Sequence, residues 1–348
     1  MARTGYWWGG AKRLESRGGV WEGHTGVMRD SARGAFTLLE LLVVVAIIAL
    51  LAAILIPALA GARQRAKTAV CLGYLRGAGL GLQAYQSEYP DYFPGPNTTG
   101  AEITRLTTAY VFRNERTEPT FNTDWMSPIV GQPLSLPDDR IARIYALNNH
   151  RLRCPNTDYR YDGAGPNPGV GIDDPTNMQI ASYVAVFNFH VYRADEAPAG
   201  TLFQPADVQA LVALPRGYRF RLSQVGSPAA KVFALDGTRF VNHTMNDQVQ
   251  FHKPWSQVRG GNYMDFGPAL SDINGSPYRA VAGVPTAATL KFGFRHQGKL
   301  NALFFDGHAE TQDQAAARDV RQYFPTGATV VQAAQTSDVN DADGMTIP

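Results

Sequence analysis

The most apolar stretch of the chain, from Phe36 to Ala60, reads FTLLELLVVVAIIALLAAILIPALA. Its 25 residues carry one charge, on Glu40. A helix of this length is roughly 37 Å long, which is enough to cross a hydrocarbon core of about 30 Å. A buried core helix is apolar along one stripe, whereas this segment is apolar all round, and the apolar run of a secretory signal is only about 7–15 residues long. The stretch therefore predicts a membrane-embedded helix.

The composition of the whole chain excludes several classes of protein. The 348 residues are 45% hydrophobic, which rules out a wholly disordered chain. The formal net charge is +2, so nothing in the overall charge indicates binding to nucleic acid. Two cysteines are too few for a disulfide scaffold or for a four-thiolate zinc site. No metalloprotease motif, phosphate-binding loop or nucleophile elbow is present, and we expect no enzymatic activity.

Glu40 is unusual because it lies inside an apolar run that follows the basic residues Arg29 and Arg33. A carboxylate within a membrane span costs a few kcal/mol and often marks a functional site. Its position near one end of the run also fits a charge that the membrane interface tolerates. From these residues alone, both interpretations stay open.

Residues Arg33 to Glu40, RGAFTLLE, together with the apolar run, resemble the class III signal of type IV pilins and type II secretion pseudopilins. The resemblance implies that a prepilin peptidase cleaves between Ala35 and Phe36 and then N-methylates Phe36. Glu40 would be the fifth mature residue and Pro57 the twenty-second, as in the family. Ala35 replaces the glycine that usually precedes the cut, and a cut after Gly34 would move Glu40 to sixth place.

The resemblance implies an α+β, pilin-like fold, in which a long amino-terminal membrane-embedded helix packs on an antiparallel β-sheet with long loops. It implies a structural subunit of a type IV pilus or a type II secretion pseudopilus. The partners would be prepilin peptidase, other pilin or pseudopilin subunits and inner-membrane lipid. In a filament, Glu40 would neutralise the amino terminus of a neighbouring subunit. The alternative is a membrane-anchored extracytoplasmic binding protein that reuses the signal without forming filaments.

The same resemblance and the local composition divide the chain into five segments. The basic leader would stay in the cytoplasm, with the carboxy-terminal domain in the periplasm or in an extracellular filament. Met28 would begin a short basic leader, so residues 1–27 are interpreted as an upstream extension from a mis-chosen start codon. The segments are a leader (1–35), a transmembrane helix half (36–60), a soluble helix half (61–89), a β-rich domain (90–324) and a mobile tail (325–348).

Beyond the apolar run, the spacing of apolar residues predicts that the helix continues to about Glu88. Gly73, Gly77 and Gly81 lie four residues apart, which fits either close packing on one face or a locally weak helix. Residues 97–140 are turn-rich and are predicted to form surface loops. Strands are predicted at Ile141–Leu147, Ile180–Tyr192, Tyr218–Leu222, Lys231–Leu235 and Thr289–Phe305.

His296, nine further residues and then Asp306-Gly307 resemble the H-x9-DG carboxy-terminal domain found behind prepilin-type signals. Gln297-Gly298 and Asp306-Gly307 both have the composition of two-residue hairpin turns. The strand between them would span roughly 23 Å, since each residue adds about 3.3 Å. His296 and Asp306 would then lie at opposite ends of one strand, too far apart for a catalytic dyad.

Two further features have two interpretations each. In an oxidising compartment, Cys71 and Cys154 would be linked by a disulfide, and otherwise they would be two buried free thiols. The tail has oxygen ligands of the kind that calcium prefers, although their spacing misses the EF-hand pattern. It is therefore either a calcium site or an acidic disordered tail, and calcium is the only cofactor that the sequence suggests. The candidate ligands are Asp338, Asn340, Asp341 and Asp343.

Overall fold

The computed structural model describes 12 parts of the chain, and it divides the chain into two units, Met1–Ile56 and Pro57–Pro348. In the first unit the description begins at Thr37. The described residues are 37–94, 115–120, 124–157, 179, 182–190, 192–196, 212–237, 240–242, 249–251, 264–265, 293–330 and 344–348.

One long helix, α1 (Leu38–Glu88), runs through both units, and its predicted end at Glu88 is confirmed. Pro57 lies inside α1, where its ring nitrogen cannot donate a backbone hydrogen bond. The helix stops just before Pro90, and the following residue, Asp91, has a positive φ of 68°. A proline shortly after a helix end is a common stop signal because it cannot continue the helix.

In the first unit, the described residues form the apolar start of α1. Its large side chains are exposed, with Leu38 at 79%, Ile54 at 70% and Ile56 at 66% of their full accessibility. By length and composition this helix is suited to cross a membrane. A helix that is apolar all round and that the described part of the chain leaves uncovered requires an apolar surrounding. The amino-terminal helix is therefore suited to anchor the chain in a membrane.

In the second unit, five of the described strands form one sheet in the order β6-β1-β3-β7-β8. The pairs β1–β3, β3–β7 and β7–β8 are antiparallel, while β6 is parallel to β1 at the edge. Two small antiparallel pairs, β2–β9 and β4–β5, lie outside this sheet. The predicted α+β class with an antiparallel sheet is confirmed, with a parallel edge strand in addition. The strands are β1 (Tyr183–Val186), β2 (Val212–Ala213), β3 (Val232–Asp236), β4 (Phe240–Asn242), β5 (Val249–Phe251), β6 (Met264–Asp265), β7 (Leu300–Phe304), β8 (Ala309–Gln312) and β9 (Thr329–Val330).

Short helices lie between α1 and β1 and between some of the later strands. The α-helical turns are α2 (Met126–Val130), α3 (Arg140–Ala146), α4 (Leu222–Val225) and α5 (Gln314–Ala317). A π-helical turn, Leu147–Arg151, continues α3 directly. Single 3₁₀ turns lie at Phe187–His190, Ala194–Glu196, Pro228–Ala230 and Val320–Tyr323.

Within the second unit, one face of α1 packs on the sheet domain. Cys71, Leu75, Ala78 and Leu82 are buried, with 2% exposure or less, at alternating steps of four and three residues. This spacing places all four side chains on one stripe of the helix. Beneath them lies an aromatic core in which the ring of Phe305 meets those of Phe93, Phe189 and Phe233 edge to face, with centroids 4.8–5.3 Å apart.

The predicted strand at Ile141–Leu147 is wrong, because this segment is helix α3 and the π-turn after it. Asp139 caps α3 by accepting a hydrogen bond from the backbone N–H of Ala142 at 2.7 Å. Ile144 and Leu147 are both buried, three residues apart, and this is helical spacing. The prediction gave more weight to the β-branched residues than to this helical spacing and to the capping aspartate.

Other predicted elements differ in extent or type. Within Ile180–Tyr192 the described strand is β1 alone, and a 3₁₀ turn follows it at once. Tyr218–Leu222 forms no ladder, only an isolated bridge between Tyr92 and Arg221. Helix α2 lies in the region predicted to be surface loops. The predicted strands at Lys231–Leu235 and Thr289–Phe305 are found, as β3 and as the shorter β7.

The described parts of the carboxy-terminal segment are packed, whereas the sequence analysis predicted a mobile tail from residue 325. Ala328, Val330 and Ile347 are buried, with 1% exposure or less. The backbone N–H of Ile347 donates to Ala328 at 2.8 Å, and Thr329 forms a bridge with Thr346. Burial of these apolar side chains holds both ends of the segment against the domain.

Candidate functional site

The first candidate site is the start of α1, where Thr37 and Glu40 form a reciprocal cap. The Glu40 carboxylate accepts hydrogen bonds from the backbone N–H and the hydroxyl of Thr37, both at 2.9 Å. The Thr37 hydroxyl oxygen in turn accepts a hydrogen bond from the Glu40 backbone N–H at 3.2 Å. This is a capping box, which satisfies donors that have no partner at a helix start. Glu40 therefore has a local partner within its own chain.

The second candidate site is strand β7 with the turn at each of its ends, from His296 to His308, which is called the hairpin below. His296 and Lys299 exchange backbone hydrogen bonds of 3.1 Å around Gln297-Gly298, whose φ angles are 56° and 79°. Two positive φ angles are typical of a type I′ turn, and the two-residue hairpin turn predicted from the Gln-Gly composition is therefore found. Strand β7 then runs from Leu300 to Phe304 and separates His296 from Asp306, as expected.

The far end of the hairpin differs from the predicted two-residue turn. The N–H of Phe304 donates to the carbonyl of His308 at 2.9 Å, which leaves a three-residue loop, Phe305 to Gly307. Gly307 has a φ of 87°, a conformation that strongly favours glycine. Asp306 accepts a hydrogen bond from the backbone N–H of His308 at 3.1 Å, and its carboxylate lies 2.6 Å from the His308 ring. The aspartate therefore shapes the turn.

Both ends of this hairpin contact the soluble part of α1. At one end, the hydroxyl of Thr68 lies 3.2 Å from Nδ1 of His296. At the other end, Gln83 donates to the carbonyl of Asp306 at 2.7 Å, and Gln86 donates to Phe305 at 3.2 Å. The H-x9-DG motif therefore joins the sheet to the helix.

His296 also lies beside the two cysteines. Its Nε2 atom is 3.5 Å from Sγ of Cys154, which in turn is 2.6 Å from Sγ of Cys71. On another side, Nε2 is 3.2 Å from the carboxylate of Asp236, at the end of β3. All four side chains are buried, with 3% exposure or less. Arg295 adds a buried positive charge, with Nη2 3.7 Å from the other oxygen of Asp236.

Proximity to these charges alters the titration of the cluster. Burial lowers the pKa of His296, but its contacts with Asp236 and Cys154 outweigh burial and raise that pKa to about 9. Burial raises the pKa of Cys154, and the contact with Cys71 and the charge of Arg295 reverse this effect, so that the pKa is lowered. The pKa of Cys71 is raised by the contact with Cys154 and by burial. Two thiols that share one site therefore differ in acidity.

Comparison with known proteins concerns the first of these sites. The family model for the prokaryotic N-terminal methylation motif matches residues 30–56. The amino-terminal segment of this chain is type IV pilin-like. Over 62 residues the chain is 50% identical to the type IV wide pilus major component PilA4 of Thermus thermophilus. That match covers 18% of this chain and 47% of PilA4, so the chain spans about half the length of this relative. No solved structure matches the chain.

Several predicted site residues have a defined place in the structure, and others lie outside the described residues. Within the pilin-like segment, Glu40 caps the helix and Pro57 lies inside it, whereas Ala35 and Phe36 are not described. The calcium candidates, which also lie outside the described residues, are Asp338, Asn340, Asp341 and Asp343.

The structure brings Cys71 and Cys154 together, as the disulfide prediction required. It records them as two unlinked cysteines with their sulfur atoms 2.6 Å apart, so the disulfide itself stays a prediction. The sequence analysis considered His296 separately from both cysteines and did not consider Asp236 or Arg295. An aspartate directly after an apolar strand, in FALDG, was the available signal for Asp236.

Proposed function

We propose that this chain is a pilin-like filament subunit that prepilin peptidase cleaves between Ala35 and Phe36 and N-methylates on Phe36. The methylation motif at residues 30–56 carries the proposal. Cleavage at this bond makes Thr37 and Glu40 the second and fifth mature residues. The role of such a subunit is structural, and the chain is a substrate of an enzyme rather than an enzyme.

The exposed start of α1 supports assembly in a membrane or a filament. The described chain leaves the whole surface of this helix uncovered. Examples are Leu38, Ile54 and Leu59, with 79%, 70% and 64% exposure. Full burial of one such side chain stabilises by about 1.5–3 kcal/mol, so about five of them match the 5–15 kcal/mol stability of a typical domain. Inner-membrane lipid covers this surface before assembly, and the helices of other subunits cover it afterwards.

The charges around the helix support one orientation. Arg29 and Arg33 precede the apolar run and favour retention of that side in the cytoplasm. The domain after Pro57 then lies in the periplasm or on the outside of a filament. In the filament, the Glu40 carboxylate exchanges its local bond with Thr37 for the methylated amino terminus of a neighbouring subunit. An ion pair is much stronger in this apolar setting than in water, although desolvation offsets part of the gain.

Two kinds of filament fit these features, a type IV pilus and a type II secretion pseudopilus. The relative PilA4 is described as a type IV pilus component, which favours the pilus. Because the match covers 47% of that relative, the domain beyond it gives no support to either filament. The competing function is a processed membrane anchor whose domain binds a ligand and never polymerises.

Intact mass and amino-terminal sequencing of the chain from native membranes test the proposal. We expect a chain that begins at N-methylated Phe36, in the wild type and in the Ala35→Gly variant. Ala35→Glu, which puts a charge next to the cut, should leave the precursor uncut. A wild-type chain that begins at Met1 or Met28 would contradict processing. Electron microscopy of sheared cells then separates a filament subunit from an anchor, because an anchor yields cleaved chains and no filaments.

A further inference from the structure

The buried cluster in the second unit has the composition of a metal site. Cys71, Cys154 and His296 each offer one ligand atom, and these atoms lie within 4.8 Å of one another. Thiolate and imidazole are the ligands that zinc and similar thiophilic cations prefer. The cluster joins α1, the segment after the π-turn and the hairpin, which are far apart in sequence.

Asp236 lies beside His296, at the edge of this group of three. Its Oδ2 atom is 3.2 Å from Nε2 of His296, and the carboxylate is completely buried. Oδ2 also accepts a hydrogen bond from the backbone N–H of Asn301 at 2.7 Å. The other oxygen, Oδ1, accepts no hydrogen bond within the described part of the chain. A buried carboxylate is costly unless cations compensate it, and the Arg295 guanidinium, 3.7 Å from Oδ1, is one such cation.

We propose that Cys71, Cys154, His296 and Asp236 bind one divalent thiophilic cation of the zinc class. As the metal–sulfur and metal–nitrogen bonds form, the two thiol protons and the proton on Nε2 of His296 leave to solvent. Both cysteines then bind as thiolates and His296 binds as a neutral imidazole. A divalent cation, two thiolates, the Asp236 carboxylate and the Arg295 guanidinium are together electrically neutral. Arg295 is itself buried and lies 3.7 Å from Asp236, so it belongs to this balance.

Two of the ligand separations already fit tetrahedral coordination. With Zn–N and Zn–O of about 2.0–2.2 Å and Zn–S of about 2.3 Å, tetrahedral edges are about 3.4 Å for N–O and about 3.5 Å for N–S. The structure has 3.2 Å for His296 to Asp236 and 3.5 Å for His296 to Cys154. The two sulfur atoms, 2.6 Å apart, must separate by about 1 Å, which is within the range of a side-chain rotation.

The groups around the ligands also suit a metal. Nδ1 of His296, on the far side of the ring, is 3.2 Å from the Thr68 hydroxyl. That hydroxyl donates to the carbonyl of Gln64 at 3.1 Å, so its oxygen can accept the proton on Nδ1. Such outer contacts fix the orientation of a ligating histidine. A disulfide between the same cysteines would use neither His296 nor Asp236 and would leave both buried beside an uncharged bond. Because the ligands are buried and four in number, the site would be structural, with no open position for a substrate.

Metal analysis of the full-length chain tests this inference. The chain is purified in detergent without chelators, and its zinc content is measured by inductively coupled plasma mass spectrometry. We expect about one zinc per chain in the wild type and in the control His308→Ala, and a loss of at least tenfold in His296→Ala and Asp236→Ala. Intact mass under denaturing, non-reducing conditions should equal that of the fully reduced chain.

A second measurement does not depend on the folding of any variant. Wild-type chain stripped of metal and titrated with Co²⁺ alone should show thiolate-to-cobalt charge-transfer absorption and tetrahedral ligand-field bands. A wild-type chain without metal, lighter than the reduced chain by two hydrogen atoms, would overturn the inference and establish the disulfide. A reduced chain that takes up neither zinc nor cobalt would overturn it too. These outcomes are independent of cleavage at Phe36 and of filament formation.

Discussion

The contact between α1 and the hairpin makes a sharp prediction for Gly79→Ala. A Cβ atom at position 79 would lie 2.1 Å from the carbonyl oxygen of Gly307 and 3.0 Å from its carbonyl carbon. An ordinary contact of this kind is about 3.4 Å or longer, and the obstacle is backbone rather than a flexible side chain. The helix or the hairpin must therefore move by about 1 Å.

The free-energy balance has two opposing parts. Alanine favours a helix over glycine by about 1 kcal/mol, while overpacking of a well-packed contact costs about 1–3 kcal/mol or more. We expect Gly79→Ala to lower the free energy of unfolding by about 1–2 kcal/mol. Gly77→Ala is the matched control, because a Cβ there has nothing within 4 Å. It should raise the free energy of unfolding by up to about 1 kcal/mol, through helix propensity alone.

Thermal unfolding of the full chain in one detergent, followed by near-ultraviolet circular dichroism, measures both variants. The expected result is opposite shifts of the melting temperature, downward for Gly79→Ala and upward for Gly77→Ala. Equal upward shifts would refute the close approach of helix and hairpin. The predicted glycine stripe, Gly73, Gly77 and Gly81, is only partly explained by close packing. A Cβ atom at position 81 would lie 2.0 Å from the carbonyl oxygen of Ile129, whereas one at Gly73 or Gly77 would have nothing within 4 Å. Close packing therefore accounts for only one of the three glycines.

Three further predictions concern other parts of the chain. Glu40→Ala should leave cleavage intact and abolish filaments, because it removes the carboxylate that pairs with the amino terminus of a neighbouring subunit. Electron microscopy checks this, and normal filaments would contradict the proposed neutralisation. Burial lowers the pKa of His190 from 6.5 to about 3, so the folded state binds fewer protons than the unfolded state as the pH falls below 6.5. Stability should thus fall with acid, by about 2–3 kcal/mol at pH 4.5 from this group, and denaturant titrations should show a shallower acid loss in His190→Leu. Asp139→Ala removes the cap of α3 and should lower the free energy of unfolding by about 0.5–2 kcal/mol in urea, with an unchanged slope; no change would mean that water replaces the cap.

The parts of the fold that the sequence predicted well depend on local patterns. The long apolar run and the spacing of apolar residues predicted that α1 continues to about Glu88, where it ends, because such spacing directly reflects the face of a helix. The Gln297-Gly298 turn was predicted because few residue pairs adopt two positive φ angles. Ile141–Leu147 was wrong because β-branched residues in a short segment suit both a strand and a buried helix.

The buried cluster could be predicted only in part, because its members come together through long-range packing. Cys71, Cys154 and His296 were each singled out from the sequence, but no local pattern indicates that a helix residue and a hairpin residue meet. Asp236 reaches His296 because β3 pairs with β7 in one particular register, Ala234 opposite Leu303 and Leu235 opposite Ala302. A shift of that register by one residue would turn the side chains of β7 to the other face, and the pairing partner cannot be read from either strand alone.

The nine-residue spacing within the H-x9-DG motif has a physical explanation in this structure. From Lys299 to Phe304 the extended chain advances five residues, about 16 Å at about 3.3 Å per residue, and the loop that follows carries it on to Asp306. On α1, the two residues that contact the ends of the hairpin, Thr68 and Gln83, are 15 residues apart, a rise of about 22 Å. The strand together with its loop reaches from one of these helix contacts to the other, so the hairpin contacts α1 at both ends. A shorter or longer spacing would keep one contact and lose the other, so the motif acts as a spacer that matches the sheet to about four turns of the helix.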